Sequence, residues 1–182
     1  MANSKSAYSV AGKKQRNDTH IIVVWVDNEA GVLARVVGLF SGRGYNIESL
    51  AVAEVDQKQN ISRITIVTTG TPQVIDQIKL QLKKLVPVHK VADFKREDKN
   101  VIFKEMALFK FVANNKKLIS ALNACRNYNP VVLDQTKKSQ VIQITALRRE
   151  IDKMSKNLTK FGLVSVSRTG AVAMTRGSEI FK

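Results

Sequence analysis

Residues 21–40 read IIVVWVDNEAGVLARVVGLF, and the change of rhythm inside that stretch decides the fold. Residues 21–26 form a continuous β-branched run with one tryptophan, the composition of a strand buried on both faces. Asp27-Asn28-Glu29-Ala30-Gly31 interrupts it with polar and small residues. Leu33, Val36, Val37 and Phe40 then recur at i, i+3, i+4 and i+7, one face of an amphipathic helix. Gly42 and Gly44 end that helix. A strand hands over directly to a helix, the opening of an α/β unit.

Working outward, residues 47–55 and 61–67 are rich in β-branched side chains, and the polar stretch 56–60 joins them as a hairpin. Thr71-Pro72 offers a hydroxyl at the N-cap and proline at the first helical position. Val74, Ile75, Ile78, Leu82 and Leu85 make the apolar face, Pro87 is the expected stop, and residues 88–91 read as a short last strand. The order is βαββαβ, the ferredoxin-like arrangement.

After the charged connector Lys95-Arg96-Glu97-Asp98-Lys99-Asn100 the order repeats. Residues 102–112 alternate, with Glu105, Ala107, Phe109 and Phe111 on one side. Leu118, Ile119, Leu122 and Cys125 mark a helix, and residues 131–133 and 141–144 read as strands flanking Thr136-Lys137-Lys138-Ser139. Ile151, Met154, Leu158 and Phe161 mark a second helix closed by Gly162, with strands at 163–167 and 172–174. The expected class is α+β with two tandem ferredoxin-like βαββαβ domains, at 20–94 and 101–182, joined by a linker at 95–100 and preceded by a flexible tail at 1–19. Such units leave one sheet face open, so association of copies of the chain is expected.

The 182 residues carry a net charge of +15 that is unevenly spread. Residues 1–20 contribute +3, residues 21–94 only +1, and residues 95–182 contribute +11. The first folded unit is nearly neutral and the basic excess belongs to the second half, an asymmetry that calls for either an acidic partner or no partner at all. No apolar run approaches the ~20 residues a membrane span needs. The first twenty residues lack the apolar core of a secretory signal and read as a solvated tail. One cysteine, Cys125, excludes an internal disulfide framework and fits a reducing, cytoplasmic setting.

Catalytic constellations are lacking. His20 and His89 are far apart in sequence without a partner pattern, and Cys125 falls on a helix's apolar face. Phosphate-loop, dinucleotide, GxSxG and metal-spacing motifs do not occur. The informative stretch is 27–33. The first turn of a helix presents unpaired N–H groups and the positive end of the backbone dipole, which suits a carboxylate. Gly31 lets a ligand approach the backbone, and the Asn28 amide both donates and accepts. On spacing alone the simpler reading is an N-cap and a helix start.

The passages from Asp27 to Val36 and from Gly38 to Leu50 (GLFSGRGYNIESL) resemble the small, regulatory subunit of acetolactate synthase. The match continues through Ser62-Arg63-Ile64-Thr65-Ile66-Val67, Lys104-Glu105-Met106-Ala107-Leu108-Phe109-Lys110 and Ser167-Arg168-Thr169-Gly170. The resemblance implies that the first domain is an ACT domain. It would bind valine, or a related branched-chain amino acid, at a homodimer interface. The effector contacts would fall on Asn28, Gly31 and Asn46, with help from Ala30, Val32, Leu33 and Ile47. It further implies no catalytic residues and no cofactor in this chain, with thiamine diphosphate, magnesium and FAD held by a large catalytic subunit that the second domain contacts and activates. Valine would then confer feedback inhibition of branched-chain amino acid biosynthesis. Trp25 replaces the smaller aliphatic residue such a strand would carry, and is assigned to packing. Truncation near residue 94 is expected to leave a valine-binding dimer.

Two alternatives stand beside this reading. A basic βαββαβ protein invites nucleic-acid binding, but residues 61–67 and 141–144 carry no aromatic side chains on which bases would stack. A free-standing ACT sensor is the other alternative, and the second domain's resemblance argues against it.

Overall fold

The structure, a computed structural model, describes residues 17–96 and 98–178. Most of the expected tail, residues 1–16, lies outside the described residues, while residues 18 and 19 already belong to the first strand. The first unit comprises β1 (Asp18–Asp27), α1 (Val32–Ser41), β2 (Ser49–Asp56), β3 (Ile61–Gly70), α2 (Pro72–Leu82) and β4 (Val88–Lys95). The second comprises β5 (Val101–Val112), α3 (Asn115–Cys125), β6 (Val131–Gln135), β7 (Ser139–Ala146), α4 (Arg148–Leu158) and β8 (Leu163–Arg168), followed by β9 (Val172–Thr175). The strand orders are β2-β3-β1-β4 and β6-β7-β5-β8, antiparallel throughout. Each is a ferredoxin-like βαββαβ unit, as the element order implied.

In the first unit α1 and α2 cover one sheet face. Ile22, Val24 and Val26 of β1 and Ile64 and Ile66 of β3 pack against Val36, Phe40, Ile75, Ile78 and Leu82. The buried stripe of α1 is Val32, Val36, Leu39 and Phe40, which corrects the expected face, since Leu33 is 40% exposed. Apolar side chains at 32, 33, 36, 37, 39 and 40 fit two overlapping stripes, and packing against β1 selects one. Thr71 caps α2 by accepting from the Val74 N–H at 3.4 Å. That helix ends at Leu82, before Pro87 is reached, and Leu85 packs on the core from the turn that follows. In the second unit α3 buries Leu118, Ala121 and Cys125, and Ile119 faces solvent instead of the core.

The strand β5 does two jobs. Residues 101–104 pair with β9, while residues 105–112 pair with β7 and 107–111 with β8. The β5–β9 pair lies over the face of the first sheet that the helices leave uncovered. Val101, Ala171 and Ala173 pack there on Ile21, Val23 and Val67, with Trp25, Ala92, Phe94 and Phe103 around them. That face is therefore covered from within the same chain, which removes the open-face reason for association at the first sheet, while Val112 and Val164 of the second sheet stay exposed. Trp25 takes the packing role assigned to it, half-buried with the Arg63 guanidinium 5.3 Å and the Lys90 ammonium 5.9 Å from its ring centre. Arg63 also donates from Nη2 to the carbonyl of Ala173.

Candidate functional site

The turn between β1 and α1 is built around Gly31, whose φ of +84° lies in the left-handed region that glycine adopts freely. No side chain caps α1 and no acidic residue occupies its first turn. The other three helices differ: Thr71 and Asn114 cap α2 and α3, and the Glu150 carboxylate accepts from the Leu147 N–H at the start of α4. Among the described α-helices, α1 alone presents a start that no side chain serves: the Val32 N–H donates to the Glu29 carbonyl at 3.3 Å, and the positive end of the helix dipole is left without an acidic side chain.

Asn28 stands beside that helix start, anchored on three sides. Its N–H donates to the Asn60 carbonyl at 2.7 Å, and its own carbonyl accepts from the Asn60 side-chain amide at 3.3 Å. Its Oδ1 accepts from the Ser62 hydroxyl at 2.9 Å. Fixing the oxygen inward turns the NH₂ donor away from the sheet, where it has no partner among the described residues. Neither Asn60 nor Ser62 was a sequence candidate, because both come from the far side of the β2–β3 hairpin. Asn60, at φ +54°, is the turn residue that allows the approach.

Ala30, Gly31 and Leu33 are exposed next to Asn28, whereas Val32 is buried in the core. Asn46 and Ile47 lie elsewhere. They follow α1 at the opposite end of the sheet, where the Thr68 hydroxyl donates to the Asn46 carbonyl at 2.7 Å. Ser62 and Thr68 are six residues apart on β3, so the two groups are about 20 Å apart at ~3.3 Å per residue. One chain does not bring them together.

The segment after Asn46 touches the second unit. Arg148, the first residue of α4, donates from Nη2 to the Glu48 carbonyl at 3.2 Å. Gly170, at φ +81°, comes so close to Ser49 that an added Cβ would sit 2.7 Å from its hydroxyl. The Ser167–Gly170 motif is held by Arg168, whose Nε and Nη2 donate to the two oxygens of buried Glu105 at 2.6 and 2.8 Å. The Arg168 pKa is raised by this hydrogen bonding, with Asp152 adding to it. Burial pushes the Cys125 thiol up to about 11. No group of three His, Cys, Asp or Glu among the described residues is arranged to hold a metal, and no described helix is long and apolar enough to cross a membrane.

The fold and this turn define an ACT-type module fused to a second ferredoxin-like unit. Residues 22–90 match the model of the acetolactate synthase small-subunit-like ACT domain, and residues 104–177 match the small subunit of acetolactate synthase. The chain belongs to the acetolactate synthase small-subunit family. It is 38% identical to the acetolactate synthase small subunit of Aquifex aeolicus over 162 residues, covering 88% of this chain and 83% of that one. It is 35% identical to that of Mycobacterium bovis over 159 residues, covering 87% and 93%. The crystal structure of the small subunit from Thermotoga maritima superposes with a TM-score of 0.78 at 29% identity, covering 88% of this chain and 99% of that one. Val101 and Phe103, which help cover the first sheet, fall between the two family models.

Proposed function

We propose that this chain is the regulatory subunit of an acetolactate synthase, binding valine or a related branched-chain amino acid between two copies of its ACT domain. The observation that carries the reading is the uncapped start of α1 beside Asn28, whose amide donor is turned outward by Ser62. The helix start receives the effector's carboxylate, Asn28 donates to it, and Leu33 offers an exposed apolar surface to the branched tail.

The 20 Å separation of the two residue groups calls for a homodimer. The eight-residue strand β2 is an edge of the first sheet, pairing with β3 on one side only among the described strands, with Val52 and Val55 exposed along it. Antiparallel pairing of β2 with its own copy about a twofold axis sets the Ser49 end of one strand against the Asp56 end of the other. Asn46 and Ile47 of one protomer then approach the 28–31 turn of its partner, giving two equivalent sites.

The second unit contacts the large catalytic subunit and activates it, and the thiamine diphosphate, magnesium and FAD of the reaction belong to that subunit. Valine acts by linkage: it binds one arrangement of the dimer better than another, biases how the second units engage the enzyme, and so imposes feedback inhibition. The setting is cytoplasmic. The test is to express the chain with its cognate thiamine-diphosphate-dependent catalytic subunit. Co-purification, several-fold stimulation and suppression of that stimulation by valine are expected. A catalytic subunit whose activity the chain leaves unchanged would overturn the reading.

A further inference from the structure

A cleft of about 540 Å³ opens where the two units meet, a volume in the range of small-molecule sites. Its floor is apolar, formed by Ile21 and Val67 of the first sheet with Ala171 before β9. Its walls carry Arg96 from the connector, Lys104 from β5, Arg148 and Arg149 from the first turn of α4, and Arg176 after β9. Among the described residues lining the cleft only Asp98 and Glu150 are acidic, each with an oxygen already committed to a backbone N–H, and Arg148 also faces the Glu48 carboxylate at 3.9 Å. Asp98 Oδ1 accepts from Asn100 at 2.9 Å, and Glu150 Oε2 accepts from Leu147 at 2.9 Å. Arg96, Arg149 and Arg176 have no carboxylate partner among the described residues.

Five like charges around one cleft repel each other, and an anion placed among them relieves that repulsion. Guanidinium groups match phosphate and carboxylate oxygens in bidentate fashion, and the positive end of the α4 dipole lies in the same wall. We infer that this interdomain cleft binds a small organic anion with at least two negative charges, phosphate or carboxylate, whose apolar body rests on Ile21, Val67 and Ala171. The site is distinct from the 28–31 turn, so the inference stands or falls independently of valine binding. Because Arg148 both lines the cleft and holds the Glu48 carbonyl, the occupant touches a side chain that supports the segment after Ile47.

The test is calorimetric titration of the full chain with pyrophosphate, phosphate and citrate at constant ionic strength. Pyrophosphate separates phosphate chemistry from the polycarboxylate citrate, and single phosphate tests the need for a second charge. Saturable binding of pyrophosphate or citrate with one site per chain is expected, weakened at least tenfold by Arg149→Glu with Arg176→Glu. The charge-matched pair Lys137→Glu with Lys138→Glu, in the exposed β6–β7 turn, should change affinity less than twofold. Arg149→Gln with Arg176→Gln provides a milder variant and should weaken binding in the same direction. Absence of saturable binding by every anion would overturn the inference, as would equal losses in the two glutamate pairs, which would mark a general attraction to the basic chain.

Discussion

Ser62 shows how a residue that need not touch a ligand sets the geometry of one that does. Its hydroxyl binds the Asn28 oxygen from a nearly buried position on β3, leaving the amide a single outward donor face. Ser62→Ala frees that amide to rotate, and a lost net hydrogen bond of about 1 kcal/mol corresponds to roughly a fivefold weaker valine complex. Calorimetry should show this weakening with the melting temperature little changed; unchanged affinity would separate Asn28 orientation from binding. Cys125 makes a different kind of prediction. Its thiol ionises near 9 when the chain is unfolded and near 11 when folded, so the folded state holds the proton more tightly. Stability therefore falls as pH rises from about 9 towards 11, and Cys125→Ala should flatten that part of the urea-midpoint profile. At neutral pH, thiol reagents should label Cys125 only at the rate of unfolding.

Among the elements, β5 and β8 are joined by a charged clamp at the edge of the second unit's core. Glu105 is 2% exposed, so removing Arg168 leaves a buried carboxylate unpaired. Arg168→Ala should cost about 3 kcal/mol in urea denaturation, whereas Glu105→Met with Arg168→Met should recover most of the loss. Asp152, half-exposed, contributes little. This clamp also marks the limit of what the sequence makes legible. The alternation of residues 102–112 places Glu105 on the buried side with Ala107, Phe109 and Phe111, as observed. Its partner lies 63 residues away, beyond any periodicity. The same limit applies to the first four residues of β5: alternation identifies a strand but not the strand it pairs with. Helix faces fared unevenly for a local reason. In α4 the apolar positions form one stripe, and Ile151, Met154 and Leu158 are buried as expected. In α1 two stripes overlap, and Val32 and Leu39 took the places assigned to Leu33 and Val37. At the candidate site, the turn with Asn28 and Gly31 was visible in the sequence, but the 20 Å that separates it from Asn46 was not.

Across the whole molecule, the coverage of Ile21, Val23 and Val67 by Val101, Ala171 and Ala173 changes what truncation should do. A fragment ending near residue 94 keeps the 28–31 turn, β2 and both helices, but bares an apolar face that a soluble chain rarely exposes. Each of those three side chains contributes about 2 kcal/mol when buried. The fragment should bind a hydrophobic dye and self-associate beyond a dimer, and the emission of its single tryptophan, Trp25, should shift to the red. A soluble, dye-silent dimer with unshifted emission would mean that the second unit merely rests on this face.

The path of β5 has a consequence for inheritance. The polar connector at 95–100 looks like the natural place for recombination between related genes, because the two halves are joined there by so little chain. A crossover at that point would nevertheless divorce one parent's first sheet from the strand pair shaped to lie on it, since residues 101–104 and 172–175 would arrive from the other parent. Hybrids are expected to tolerate the exchange only when those two short stretches travel with the N-terminal half. The inheritable unit of sensing thus consists of two separated pieces of chain, the sequence through residue 104 and residues 172–175.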